Sequence, residues 1–345
     1  MSYKRLDPDD FVVSAQSITA TCWTGNVVNL TTFFTSSNQV SSISGRYYTN
    51  VFNADSGSAN RETQFQIAYG NSSGGGAVAY NQAAAANVSV ASTIYGQYRS
   101  LVLEDENANF IFGNYTGSSI YVISVERARY KESLLPGSLN LTLKNSSRVV
   151  SLTDNSKDVV LPTFYGTQRA FQIVSGSNGS AFAGNGFTSK GSYGIFLPDT
   201  STIILNGDAL DDNSSTSGVT GTNDCFGINL GTVTAGNTAG NNNQKLFNVV
   251  VEGANFGLNS EETITSVFVF VRARNSEFNY SENPSYISGS TGEVVYPYFI
   301  NNPQSYMTSI GLYNDSNELL AVAKLSKPLN KNFTKEALVR VKLDF

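Results

Sequence analysis

The chain has 345 residues, 40% of them hydrophobic and only 14% charged, with 22 Lys and Arg against 27 Asp and Glu for a formal net charge of −5. That length can bury a sizeable core in about two domains, and the missing basic surplus argues against general duplex binding, which needs many cations to displace counterions. There is no histidine, which excludes every mechanism built on imidazole within this chain and removes the commonest transition-metal ligand.

The opening MSYKRLDPDDFVV has no apolar signal core, and no later run reaches the roughly 18 apolar residues of a spanning helix, so synthesis and retention in a cytoplasm are expected. Cys22 and Cys225 form neither a CxxC pair nor a four-cysteine cage; two buried thiols are expected, and a disulfide between them stays open. The run YGNSSGGGAVAYNQAAAAN (69–87) lacks the signature of a phosphate-binding loop and reads as an arm that orders against a partner. In STIYGQYRSLVLEDEN, Ile94, Tyr98, Leu101 and Val102 share one face at a 3.6-residue period. A helix over 93–104 is predicted, capped by Ser92 or Thr93.

SIYVISV (119–125) is a strand by its β-branched and aromatic content. It runs into VERARYKE (125–132), which crowds five charged side chains into seven positions. If the strand continues through Lys131, alternation puts Arg127, Arg129 and Lys131 in one cationic row. Three adjacent like charges repel unless neutralised, so in a chain this sparing of charge a row of carboxylates on a neighbouring subunit is the favoured partner. A solvated face and a phosphate or nucleic-acid grip are the alternatives.

From about 146 to 260 the sequence turns richer in Gly, Asn, Ser and Thr, broken by apolar runs such as GIFLP, STIILNG and LFNVVVEG. This reads as a loop-rich β insertion between an N-terminal domain (1–145) and a C-terminal segment (261–345) that completes it. Asp208, Asp211 and Asp212 crowd one oxygen-rich turn and form a weak cation candidate, although their order does not match an EF-hand. Further strands are predicted over 265–274, 305–313, 318–325 and 337–345, the second and third joined as a hairpin by the turn NDSN. The first of these ends in Arg272 and Arg274, a second cationic row. The fold class is therefore mainly β, with antiparallel sheets or a sandwich, one short helix and a loop-rich insertion.

Paired carboxylates without histidine suffice for glycoside hydrolysis. Glu104, Asp105 and Glu106, Asp211 and Asp212, and Glu261 with Glu262 are the candidates; adjacent acids in turns are far more often solvated loop residues. Tyr193, Tyr280 and Tyr286, set among Asn and Ser, are expected at the surface, where they would stack on sugars or pack at interfaces. No cofactor is expected.

Several stretches resemble a known family. FVVSAQSITATCWTGN, GRYYTNVFN, TQFQIAYGN, STIYGQYRSLVLEDENANFIFG and ISVERARYKESLLPGSLNL, with the C-terminal NSEFNYSENPSYISG and NPQSYMTSIGLYNDSNELLAVAKLSKP, look like virion structural proteins of contractile-tailed bacteriophages, marine cyanophages among them. The resemblance spans most of the first 155 residues and about the last 80, and the middle departs from it. It implies a non-enzymatic, multimeric subunit of the baseplate or distal tail, with neck and capsid surface as alternatives. Other tail proteins would be its partners, and assembly would take place in the host cytoplasm. A different class, a receptor- or glycan-binding module presenting the middle segment to host polysaccharide, is the second expectation.

Overall fold

The structure, a computed structural model, describes residues 3–35, 48–74, 90–145, 148–211, 241–281 and 283–344. The fold is mainly β, with antiparallel sheets and few helices. In chain order the elements begin with β1 (Phe11–Thr21), β2 (Asn29–Leu30), β3 (Phe34–Thr35), β4 (Tyr48–Phe52), β5 (Thr63–Asn71), α1 (Val90–Leu103), β6 (Ile111–Phe112), β7 (Tyr115–Thr116) and β8 (Ser119–Val125). Next come β9 (Ser133–Leu134), β10 (Asn140–Asn145), β11 (Arg148–Asp154), β12 (Thr163–Tyr165), β13 (Gln168–Ser177), β14 (Ser180–Ala181), β15 (Gly194–Leu197), β16 (Thr202–Asn206) and α2 (Gly207–Asp211). The chain continues through α3 (Asn241–Gly253), β17 (Asn255–Gly257), β18 (Asn259–Ala273), α4 (Pro297–Asn301), β19 (Ser305–Tyr313), β20 (Leu319–Lys331) and β21 (Ala337–Asp344).

Two compact units result: a core unit of residues 18–262, and a terminal unit in which 1–17 joins 263–345. The boundary expected at 145/146 falls between β10 and β11, which pair antiparallel in a register that runs to Asn145↔Arg148. Strands from both sides of that boundary share one 13-stranded sheet in the order β2-β17-β10-β11-β13-β15-β16-β8-β5-β4-β3, with β12 and β14 attached to β13.

β8 shows why this sheet forms. Its apolar run has no polar face because both faces are covered. Tyr121, Ile123 and Val125 enter one buried cluster, while Ile120 and Val122 enter the other. α1 closes the second cluster with Ile94, Tyr95, Tyr98 and Val102, and α3 closes the first with Leu246, Phe247, Val249 and Val250. At about 1.5–3 kcal/mol per large apolar side chain, the four residues of α1 gain roughly 6–12 kcal/mol before entropy is charged. α1 also lies so close to β5 that a Cβ on Gly70 would stand 2.8 Å from the Tyr95 nitrogen. Gly70→Ala will therefore destabilise the core unit by about 1–3 kcal/mol in urea unfolding; a neutral result would mean that α1 can retreat freely.

α3 corrects the sequence reading, in which LFNVVVEG belonged to a β-rich segment. Three consecutive valines favour a strand locally, but Leu246, Val249 and Val250 fall at i, i+3 and i+4 and bury one helical face on the sheet. Tertiary packing overrides the local preference. The helix ends at Gly253, where a Cβ would meet the Thr142 carbonyl oxygen at 1.9 Å. Ala254 follows at φ 47, its N–H donating to the Val250 carbonyl at 3.0 Å.

Asp154 is fully buried at the end of β11. Its Oδ2 accepts the N–H groups of Gly137 (2.7 Å) and Ser156 (3.3 Å), and its Oδ1 has no partner. Burial raises its pKa above the ordinary 3.8, and hydrogen bonds from Ser156 and Gly137 offset part of the rise. A raised acid pKa means the folded state holds this proton more tightly. The contribution to stability is then complete below about pH 3.8 and lost as pH climbs through the elevated value. Relative to wild type, Asp154→Asn will gain about 1.4 kcal/mol per pH unit across that window, measured as the difference between two denaturation series. A pH-independent difference would contradict the assignment.

Candidate assembly interface

The cationic row expected after β8 does not form. The strand ends at Val125 and, beyond Glu126, Arg127–Arg129 make one 3-10 turn. A 3-10 turn has three residues per repeat, so the alternation that would align Arg127, Arg129 and Lys131 is lost. Arg129 is half-buried and committed within its own chain: its guanidinium pairs with Glu62 at 2.8 Å and donates to the Thr24 hydroxyl. Arg127 folds onto its neighbour, donating to the Tyr130 carbonyl at 2.8 Å with its guanidinium 4.6 Å from that ring's centroid. Lys131 is exposed. Charge reversal at Arg129 would set a carboxylate beside Glu62, so that position tests folding rather than docking.

The other sequence candidates fill local roles. Asp208 accepts from the Ser118 N–H (2.8 Å) and hydroxyl (3.0 Å) and from the Ser119 hydroxyl (2.6 Å), so serine donors occupy both of its oxygens. Asp211 ends α2, and Asp212 lies outside the described residues, as does Cys225. Among the described residues no group of three His, Cys, Asp or Glu is placed to hold a metal. Cys22 is a buried free thiol whose pKa burial pushes up to about 12. Asp105 accepts the Asn107 N–H in a turn at 2.8 Å. Tyr193 is fully buried, contrary to expectation, while Tyr280 is exposed and Tyr286 packs between Tyr296 and Phe299.

The terminal unit has a different character. β18 lies between β1 and β21, and its register with β21 sorts residues onto two faces. On one, Val267, Val269, Val271 and Ala273 stand opposite Leu343, Val341, Val339 and Ala337. On the other, Ser266, Phe268, Phe270 and Arg272 stand opposite Asp344, Lys342, Arg340 and Leu338. The second face is thus aromatic and cationic. The Arg340 guanidinium lies 5.2 Å from the Phe268 centroid, and Lys342 pairs with Asp344 at 2.9 Å. Arg272 is exposed, and neither it nor Arg340 forms an ion pair among the described residues. Arg274 lies just past the strand end, its N–H held by Glu277 Oε2 at 2.8 Å. That bond, then the Lys4 ammonium at 3.0 Å, lowers the Glu277 pKa. Sequence reading singled out Arg272 and Arg274 and passed over Arg340 and Lys342. The signal was the alternation VRVK, whose pairing partner lies some 70 residues upstream.

The apolar face is partly covered: Val269, Ala273, Ala337 and Val341 are buried and Val267, Val271, Val339 and Leu343 half-buried. Together with the β19–β20 hairpin it lines a cleft of about 2340 Å³, with Val267, Val269 and Val339 from the sheet and Ile310, Leu312 and Leu320 from the hairpin. Small-molecule pockets run to roughly 300–1,000 Å³, so the volume suits another polypeptide better than a small ligand. The single carboxylate lining it is Asp315, which does not furnish the acid pair of a glycosidase. Of 51 buried hydrophobic residues among those described, only five (Val269, Ala273, Phe299, Ala337 and Val341) belong to the terminal unit. Of 28 exposed large hydrophobics, 17 do. About 100 residues therefore hold almost no core of their own. One polar exception is Lys331, fully buried, whose ammonium donates to the Asn275 carbonyl (3.0 Å), Asn279 Oδ1 (2.9 Å) and the Asn332 carbonyl (3.1 Å). Desolvation lowers its pKa.

Among the described residues no helix is long and apolar enough to cross a membrane. No family profile, curated protein or solved structure matches this chain.

Proposed function

We propose that this chain is a non-enzymatic structural subunit of a larger particle, and that neighbouring chains cover its terminal unit. The observation that carries this reading is the inventory of that unit among the described residues: 17 exposed large hydrophobics against five buried hydrophobics, two of them alanines. An exposed apolar surface of that extent marks a protein interface, and obligate interfaces are richer in apolar area and poorer in charge than transient ones. The core unit supplies a rigid body, and the terminal unit supplies adhesive strands.

The particle is proposed to be a bacteriophage virion with a contractile tail, at its baseplate or distal tail. The support is the resemblance of the N- and C-terminal stretches to virion structural proteins, together with a histidine-free, charge-poor composition. Mass spectrometry of purified virions, followed by antibody labelling in electron micrographs, tests the location. Absence of the chain from intact particles would sink the virion reading. A glycan-binding role for the middle segment is less well supported, since Tyr193 is buried in the core.

A further inference from the structure

We infer that the chain covering the terminal unit is a second copy of this one, joined head to tail: the cationic β21 side of one copy takes the acid-headed β1 edge of the next. The inference rests on the terminal unit being an interface. β18 is flanked by β1 on one side and β21 on the other, so each copy offers two different free edges. β1 is exposed along its length and its eleven residues include no charge and no proline. An edge without those protecting devices pairs with another strand.

β21 cannot readily supply that strand to its own twin. Antiparallel self-pairing about Val341 would set Arg340 against Lys342 in both directions, and like charges directly opposite are destabilising. β1 meets no such obstacle. Directly before it, the turn Asp7–Pro8–Asp9–Asp10 carries three acids. Asp7 and Asp9 are exposed and form no ion pair among the described residues. Arg272 and Arg340 are adjacent on one sheet face and lack an acidic partner. The unsatisfied acids of one edge thus match the unsatisfied cations beside the other. The terminal unit holds ten cations and ten acids in all, so copies do not repel through net charge. Two unlike edges make a heterologous contact, which closes into a ring or extends as a filament.

The test uses the full chain, with mass measured by light scattering and native mass spectrometry across a concentration series. Wild type should form a defined assembly that weakens with salt. Arg272→Glu with Arg340→Glu, and separately Asp7→Lys with Asp9→Lys, should each weaken association at least tenfold, while an equimolar mixture should restore it at equal stoichiometry. Neutral Arg272→Gln with Arg340→Gln, checked by circular dichroism, keeps the test valid should a reversed chain misfold; it should weaken association and flatten the salt dependence. A wild-type dimer indifferent to all these changes, or a mixture that fails to recover, would overturn the inference. A wild type that stays monomeric would overturn it too, yet leave an interface for a different partner intact. Full protection of the terminal unit in that monomer would instead remove the interface reading itself.

Discussion

Replacing Trp23 with alanine will cost the core unit about 3–5 kcal/mol in urea unfolding, the range for deleting a buried aromatic. Trp23 is only 2% exposed. Its ring lies 4.9 Å from Phe256 and 6.0 Å from Phe65, and Phe65 in turn contacts Phe256 at 5.2 Å. The indole N–H also donates to the Phe256 carbonyl at 2.7 Å. Alanine therefore removes a large packing element and strips a buried acceptor of its donor. Trp23→Phe separates the two effects. It keeps most of the packing and should cost about 1–3 kcal/mol. A loss below about 1 kcal/mol for Trp23→Ala would mean that the aromatic cluster closes up over the gap.

Hydrogen exchange on the isolated chain should divide sharply between the two units. Amides of β5, β8 and β16, buried and paired on both sides, should open only with global unfolding. Amides of β19 and β20 form a two-stranded sheet, an arrangement that is marginal in water on its own. They should open with free energies several kcal/mol lower, which is a difference of about 10³-fold or more in exchange rate. If neighbouring chains cover the terminal unit as proposed, this gap should shrink, because covering even six of the exposed apolar side chains is worth roughly 9–18 kcal/mol before association costs. Equal protection of both units in the monomer would count directly against the interface reading.

Local signals were legible in the sequence and distant ones were not. The run SIYVISV became β8 residue for residue, because a stretch with β-branched or aromatic residues at five of seven positions, apolar on both faces, has few other uses at that length. The NDSN turn joined β19 to β20 as expected, and the helix predicted over 93–104 became Val90–Leu103. Arg127–Arg129 was misread because Glu126 turns the backbone out of the strand, which side-chain alternation cannot reveal. α3 was missed because its asparagine-rich start and valine run mask a helical face that exists only when a sheet lies beneath it. The division of the chain depended on β1 meeting β18, strands more than 200 residues apart, and the Arg272 and Arg340 pair depended on a register between β18 and β21. Neither is written in any local window.

The Lys331 cage makes amine chemistry a reporter of conformation. Lys324, Lys327 and Lys335 stand exposed around it, so an acylating reagent should modify those three quickly and spare Lys331, whose three hydrogen bonds are all made to oxygens of Asn275, Asn279 and Asn332. Labelling at that one nitrogen would then mark the moment the strand junction comes apart, and would give a readout of the terminal unit inside a particle too large for solution spectroscopy.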